Sequence, residues 1–114
     1  MEEIDLKQLF EMSDEQLLKL AGGAILAEGF GGAEITDEDA LAEGRLLADE
    51  LNVRNPKLCE DAKVKEYLHN RKTELGIDLA ASLVDVLIHP IVPVPILTLA
   101  VIFVRFRLRK ICNH

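Results

Sequence analysis

Apolar positions recur at near-helical spacing over the first 76 residues of this chain and then close up into an almost unbroken run. Residues 3–11 (EIDLKQLFE) place Ile4, Leu6, Leu9 and Phe10 on one side, which predicts a short amphipathic helix with an acidic outer face. Ser13 followed by Gln16 has the form of a capping box, in which the hydroxyl accepts from an early amide and the Gln side chain reaches back. A second helix is therefore predicted from Asp14, with Leu17, Leu18, Leu20, Ala21, Ile25 and Leu26 as its apolar share. Gly22 and Gly23 interrupt it at about 1 kcal/mol each relative to Ala, which implies either a break or a close helix contact.

The segment GFGG at 29–32 reads as a turn, after which Thr36 caps a third helix whose first turn, Asp37, Glu38 and Asp39, complements the helix dipole. Leu41, Leu47, Ala48 and Leu51 form its apolar side. Residues 52–55 read as a connector, and Asn55 before Pro56 matches an N-cap followed by a first helical residue. That places a fourth helix over 56–73, the most polar of the set, with only Leu58, Cys59, Ala62, Val64 and Leu68 to bury.

After Gly76 the pattern changes. From Ile77 to Val104 the only ionisable residues are Asp78, Asp85 and His89. Residues 77–89 are predicted helical, and at 100° per residue Asp78, Ser82, Asp85 and His89 fall on one narrow line with apolar faces elsewhere. Pro90, Pro93 and Pro95 then lack amide hydrogens and disfavour helix in the residues before them, so the chain should reverse direction there. Residues 96–104 are either a second apolar helix or a buried strand, since Val104–Arg109 alternates with period two. Helix is the better reading, because every other element is helical and a strand needs a partner. The predicted fold is thus all-α, four to five short helices with a C-terminal hydrophobic helical hairpin broken at Pro90–Pro95. Within one domain, residues 1–75 form an acidic amphipathic region and 76–114 the hairpin with a basic tip.

Composition adds three constraints. The chain has 114 residues with 49% apolar and 29% charged, enough for one globular core, and 4% aromatics with no Trp leaves Leu, Ile, Val and Ala to fill it. Net charge is −7 but uneven: residues 105–114 carry Arg105, Arg107, Arg109 and Lys110 with no acid, leaving −11 on residues 1–104. An acidic body repels polyanions, so nucleic-acid binding is not expected. Cys59 and Cys112 lack the spacing of a zinc site or a disulfide framework and read as reduced thiols. With Glu2, Glu3 and Asp5 where a secretory segment would be basic, a cytoplasmic location is expected, with membrane association as a possible addition.

Candidate chemistry fails on geometry. Ser82, Asp85 and His89 have triad residue types, but seven residues of helix rise about 10 Å, so Ser82 and His89 cannot share a hydrogen bond. Asp85 and His89, four apart, could pair. Glu66 and His69 form one E-x-x-H half-site of the kind that di-iron bundles use, and one copy does not hold a metal. The glycines at 22, 23, 29, 31 and 32 match neither a phosphate loop nor a dinucleotide fingerprint, and Asp37, Glu38 and Asp39 miss calcium-loop spacing. No catalytic residue, cofactor, metal or small-molecule substrate is expected.

Val86–Val104 is long enough to span a bilayer as one helix, but three prolines divide it into limbs that are each too short. The alternative is a bundle core. A chain of this size buries only about two thirds of its unfolded surface, so part of so apolar a hairpin should stay uncovered and mark a contact site. The sequence therefore predicts a non-enzymatic accessory or adaptor protein that binds a protein partner or a second copy of itself. Leu83, Val86, Leu87, Ile96, Leu99, Ile102 and Phe103 would be buried at that interface, with Asp78, Asp85, His89, Arg105, Arg107 and Arg109 fixing register. The alternative is a small membrane-associated protein that inserts residues 77–104 and holds headgroups with its basic tip.

Overall fold

The computed structural model describes residues 5–30 and 34–112. These form α1 (Leu6–Glu11), α2 (Asp14–Phe30), α3 (Asp37–Glu50), β1 (Asn52–Val53), α4 (Ala62–Asn70), α5 (Thr73–Leu83), β2 (Leu87–Ile88) and a last rod. In that rod α6 (Ile96–Ile102) runs through a π turn (Phe103–Arg107) into α7 (Leu108–Ile111), so the described residues hold six helices, one more than the upper expectation. The period-two alternation after Val104 is helical, as favoured. Gly31 and Gly32 of the predicted turn, and Glu3 and Ile4 of the first predicted helix, lie outside the described residues.

Local signals fix the helix starts. Asp5 and Gln8 make a capping box for α1, with the Gln8 amide 2.8 Å from the Asp5 carboxylate and the Asp5 amide 3.1 Å from the Gln8 side chain. Ser13 and Gln16 repeat it before α2 at 3.1 and 3.0 Å. The Thr36 hydroxyl accepts from the Asp39 amide at 3.1 Å and caps α3. Gly22 and Gly23 do not break α2; they bring it against α3.

Two predicted helices are corrected. The fourth begins at Ala62 rather than Pro56, because Asn55 closes a local turn onto the Lys57 amide (3.0 Å) and a 3-10 turn over Leu58–Glu60 follows. Asp61 then caps α4 through the Lys63 amide at 2.8 Å. The helix predicted over 77–89 stops at Leu83. Residues 84–86 tighten into a 3-10 turn, and Leu87 and Ile88 extend to pair antiparallel with Val53 and Asn52. The Arg54 amide adds a bond of 2.9 Å to the Val86 carbonyl. Val84, Val86 and Ile88 are β-branched and lie ahead of Pro90, so this segment has little to lose by leaving the helix, and the pairing offers its backbone partners.

The core explains the long hydrophobic run. Thr98 to Val104 are seven consecutive buried residues, so this stretch of the last rod is central and enclosed on all sides. Helices α1, α2 and α5 pack against α6, while α3 and α5 pack against the π turn. The expectation that part of this tail stays uncovered holds only at its bend, where Ile88 and Ile91 are exposed; Thr98–Val104 are covered completely. A central helix needs only one narrow apolar stripe from each neighbour, and Leu9, Leu17, Leu47, Leu51, Val64 and Leu79 supply them. Among the described residues no helix is long and apolar enough to cross a membrane.

A second correction concerns the cysteines. Cys59 and Cys112 form a disulfide with Cα atoms 5.4 Å apart, closing the end of α7 onto the 3-10 turn before α4. Free thiols therefore no longer support a cytoplasmic location.

Candidate functional site

The residues expected at an interface divide into three groups. Leu83, Leu99, Ile102 and Phe103 lie in the core, at 6%, 1%, 0% and 0% exposure, and present no surface to a partner. Val86, Leu87 and Ile96 are half-buried. Asp78, Asp85 and His89 are exposed but share no line, because the helix that would align them ends at Leu83. Asp85 sits in the 3-10 turn, and His89 Nδ1 donates to its neighbour's carbonyl, Pro90, at 2.8 Å. The Ser82 hydroxyl is engaged by the Leu79 carbonyl at 2.8 Å.

The terminal arginines do local structural work. Arg105 and Arg107, two apart, leave opposite sides of the π turn. Arg105 donates to the Met12 carbonyl at 2.6 Å, where α1 ends, and pairs with Asp14. Arg107 donates to the Leu51 carbonyl at 3.1 Å, where α3 ends. Carbonyls at helix C-termini lack intrahelical partners and carry the negative end of the dipole, so each guanidinium is well matched to its acceptor. Lys110 pairs with Asp49 at 2.8 Å. Both guanidinium groups are thus engaged within the chain and half-buried. Arg109 stays exposed, and no hydrogen bond or ion pair engages it among the described residues.

What stays uncovered is the outer side of the hairpin's bend. Ile91 is fully exposed and Ile88 is 44% exposed, while Val94, three residues on, is buried. The β1–β2 pairing holds one end of this bend and Val94 the other. Among the described residues, Leu20 and Leu46 are the other exposed large apolar side chains, one each on α2 and α3. Hydropathy could not separate the two sides of the tail, so the bend's outer residues were not distinguished from its core.

A second feature had no sequence signal. Phe10, Asp14, Tyr67, Arg71, Thr73, Arg105 and Arg109 line a cavity of 240 Å³ between α1, the end of α4, the start of α5 and the last rod. It adjoins a shallower groove of 670 Å³ that shares Asp14, Arg105 and Arg109. Burial raises the Tyr67 hydroxyl above its ordinary pKa, opposed by the nearby guanidinium groups of Arg71, Arg105 and Arg109. Glu66 and His69 stay on the exposed side of α4, and among the described residues no three His, Cys, Asp or Glu side chains converge as metal ligands.

The chain is thus a small all-α domain whose described residues carry no catalytic or cofactor-binding signature. No family model, curated protein or solved structure matches it.

Proposed function

We propose that this protein is a non-enzymatic interaction module that engages another protein through the outer side of its Pro90–Pro95 bend, with Ile88 and Ile91 as anchors. The observation that carries the reading is Ile91, a large apolar side chain held fully in water on a bend fastened at both ends. Such a bend loses little further freedom on binding, which lowers the cost of association. Two isoleucines offer far less than the roughly 800 Å² per partner of a stable flat interface, so the fitting occupant is a protein with an apolar pocket rather than a second copy of this chain. Membrane insertion is the weaker alternative, since it would have to pull Thr98–Val104 out of the core.

The test is a photo-reactive residue at Ile91 in the producing cell, with one at Glu66 as control. One discrete protein adduct at Ile91, lost when Ile88→Ser is added, is the expected result. No adduct, or an adduct of the chain with itself, would overturn the reading.

A further inference from the structure

We infer that the cavity between α4, α5 and the last rod is a binding site for inorganic phosphate or a small phosphate monoester. Three guanidinium groups, from Arg71, Arg105 and Arg109, converge there against one carboxylate, Asp14, in a chain whose net charge is −7. Asp14 is held by Arg105, and Arg105 spends a second donor on the Met12 carbonyl. Arg71 uses only Nε, to the Leu68 carbonyl at 3.3 Å, and its terminal nitrogens make no hydrogen bond among the described residues. The same holds for all of Arg109. Guanidinium forks match the paired oxygens of carboxylate and phosphoryl groups alike, and several of them together favour the higher charge of a phosphate over a monocarboxylate.

Two neutral donors complete the cradle. Tyr67 is 5% exposed, and its hydroxyl has no partner among the described residues although it lines the cavity. The ring is buried while the hydroxyl oxygen itself opens onto the cavity, where it is free to donate to an anion. Thr73, the first residue of α5, also lines the cavity, and α5 has no side-chain cap, so its first amides and its positive dipole end are available to an anion. Arg71 itself adopts φ 55°, a left-handed C-cap usually given to Gly, and its guanidinium stands 5.9 Å from the Tyr67 ring centroid.

The experiment is calorimetric titration of the full, disulfide-bonded chain at constant ionic strength. The probes are inorganic phosphate and phenyl phosphate, with acetate as a monoanion control and phosphatidic-acid vesicles as a separate arm. Saturable one-to-one binding of both phosphates, with none of acetate, is expected. Arg71→Gly suits the left-handed backbone and Arg109→Gln lies on the surface, so the double variant should keep the thermal midpoint yet weaken phosphate by about tenfold or more. Tyr67→Phe should weaken it while leaving the ring packing in place. Removing two cations elsewhere, with Lys7→Gln and Lys57→Gln, should change nothing. No saturable heat, equal loss in the charge-matched control, or binding to vesicles alone would each overturn the assignment.

Discussion

Gly22 and Gly44 meet backbone to backbone where α2 crosses α3: a Cβ on Gly22 would stand 2.7 Å from the Gly44 amide nitrogen and inside the Ala40 carbonyl. A Cβ on Gly44 would in turn meet the Leu18 backbone. Because the obstructing atoms are main chain rather than flexible side-chain ends, neither helix can yield without moving as a whole.

Gly22→Ala and Gly44→Ala should therefore each destabilise the protein by about 1–3 kcal/mol or more, despite Ala being the better helix former. Gly29→Ala, which would meet nothing within 4 Å, should be neutral or slightly stabilising. Urea denaturation of the three variants separates packing from propensity. Equal midpoints would mean that the helices are not this close.

Phe103 is the largest side chain sealed in the core, so Phe103→Ala should cost about 3–5 kcal/mol. Ile91→Ser, on the fully exposed bend, should shift stability by no more than about 0.5 kcal/mol. Thermal unfolding reads both, and a mild Phe103→Ala phenotype would return the hydrophobic tail to the role of an interface.

The Cys59–Cys112 bridge spans 53 residues and ties the end of the last rod to the turn before α4. Constraint of the unfolded chain predicts that Cys112→Ser loses about 2–4 kcal/mol, and that a reductant brings the natural chain to the same denaturation midpoint. A free-thiol assay on the unfolded, unreduced protein should find no reactive sulfhydryl.

Tyr67 is the single tyrosine of a chain without Trp, so tyrosinate absorbance follows it alone. Burial raises its pKa in the folded state, which then holds the proton more tightly than the unfolded chain does. Its contribution to stability is fully present below the unfolded value of about 10 and is lost as pH rises through the folded value. The absorbance midpoint should lie above that of the urea-unfolded chain, and Tyr67→Phe should remove part of the alkaline loss of stability.

The sequence by itself determined those features that depend on contacts within about four residues. The Ser13–Gln16 box and the Thr36 cap follow from near neighbours in the chain, whereas the helical character of residues 96–104 is favoured over a strand only because the other elements are helical. Gly22 and Gly23 correctly pointed to a break or a close contact, and packing against Ala40 chose the contact. Tertiary structure decided the rest. Pairing with Asn52 and Val53 drew Leu87 and Ile88 out of a helix and so dissolved the line of Asp78, Ser82, Asp85 and His89. Enclosure by α1, α2, α3 and α5 buried Leu99, Ile102 and Phe103 and left Ile88 and Ile91 outside, a distinction invisible to a pattern apolar on every face. The joining of Cys59 to Cys112, and the meeting of Arg71, Tyr67, Arg105 and Arg109, likewise bring together positions far apart in the chain, and no local period records which distant residues will become neighbours.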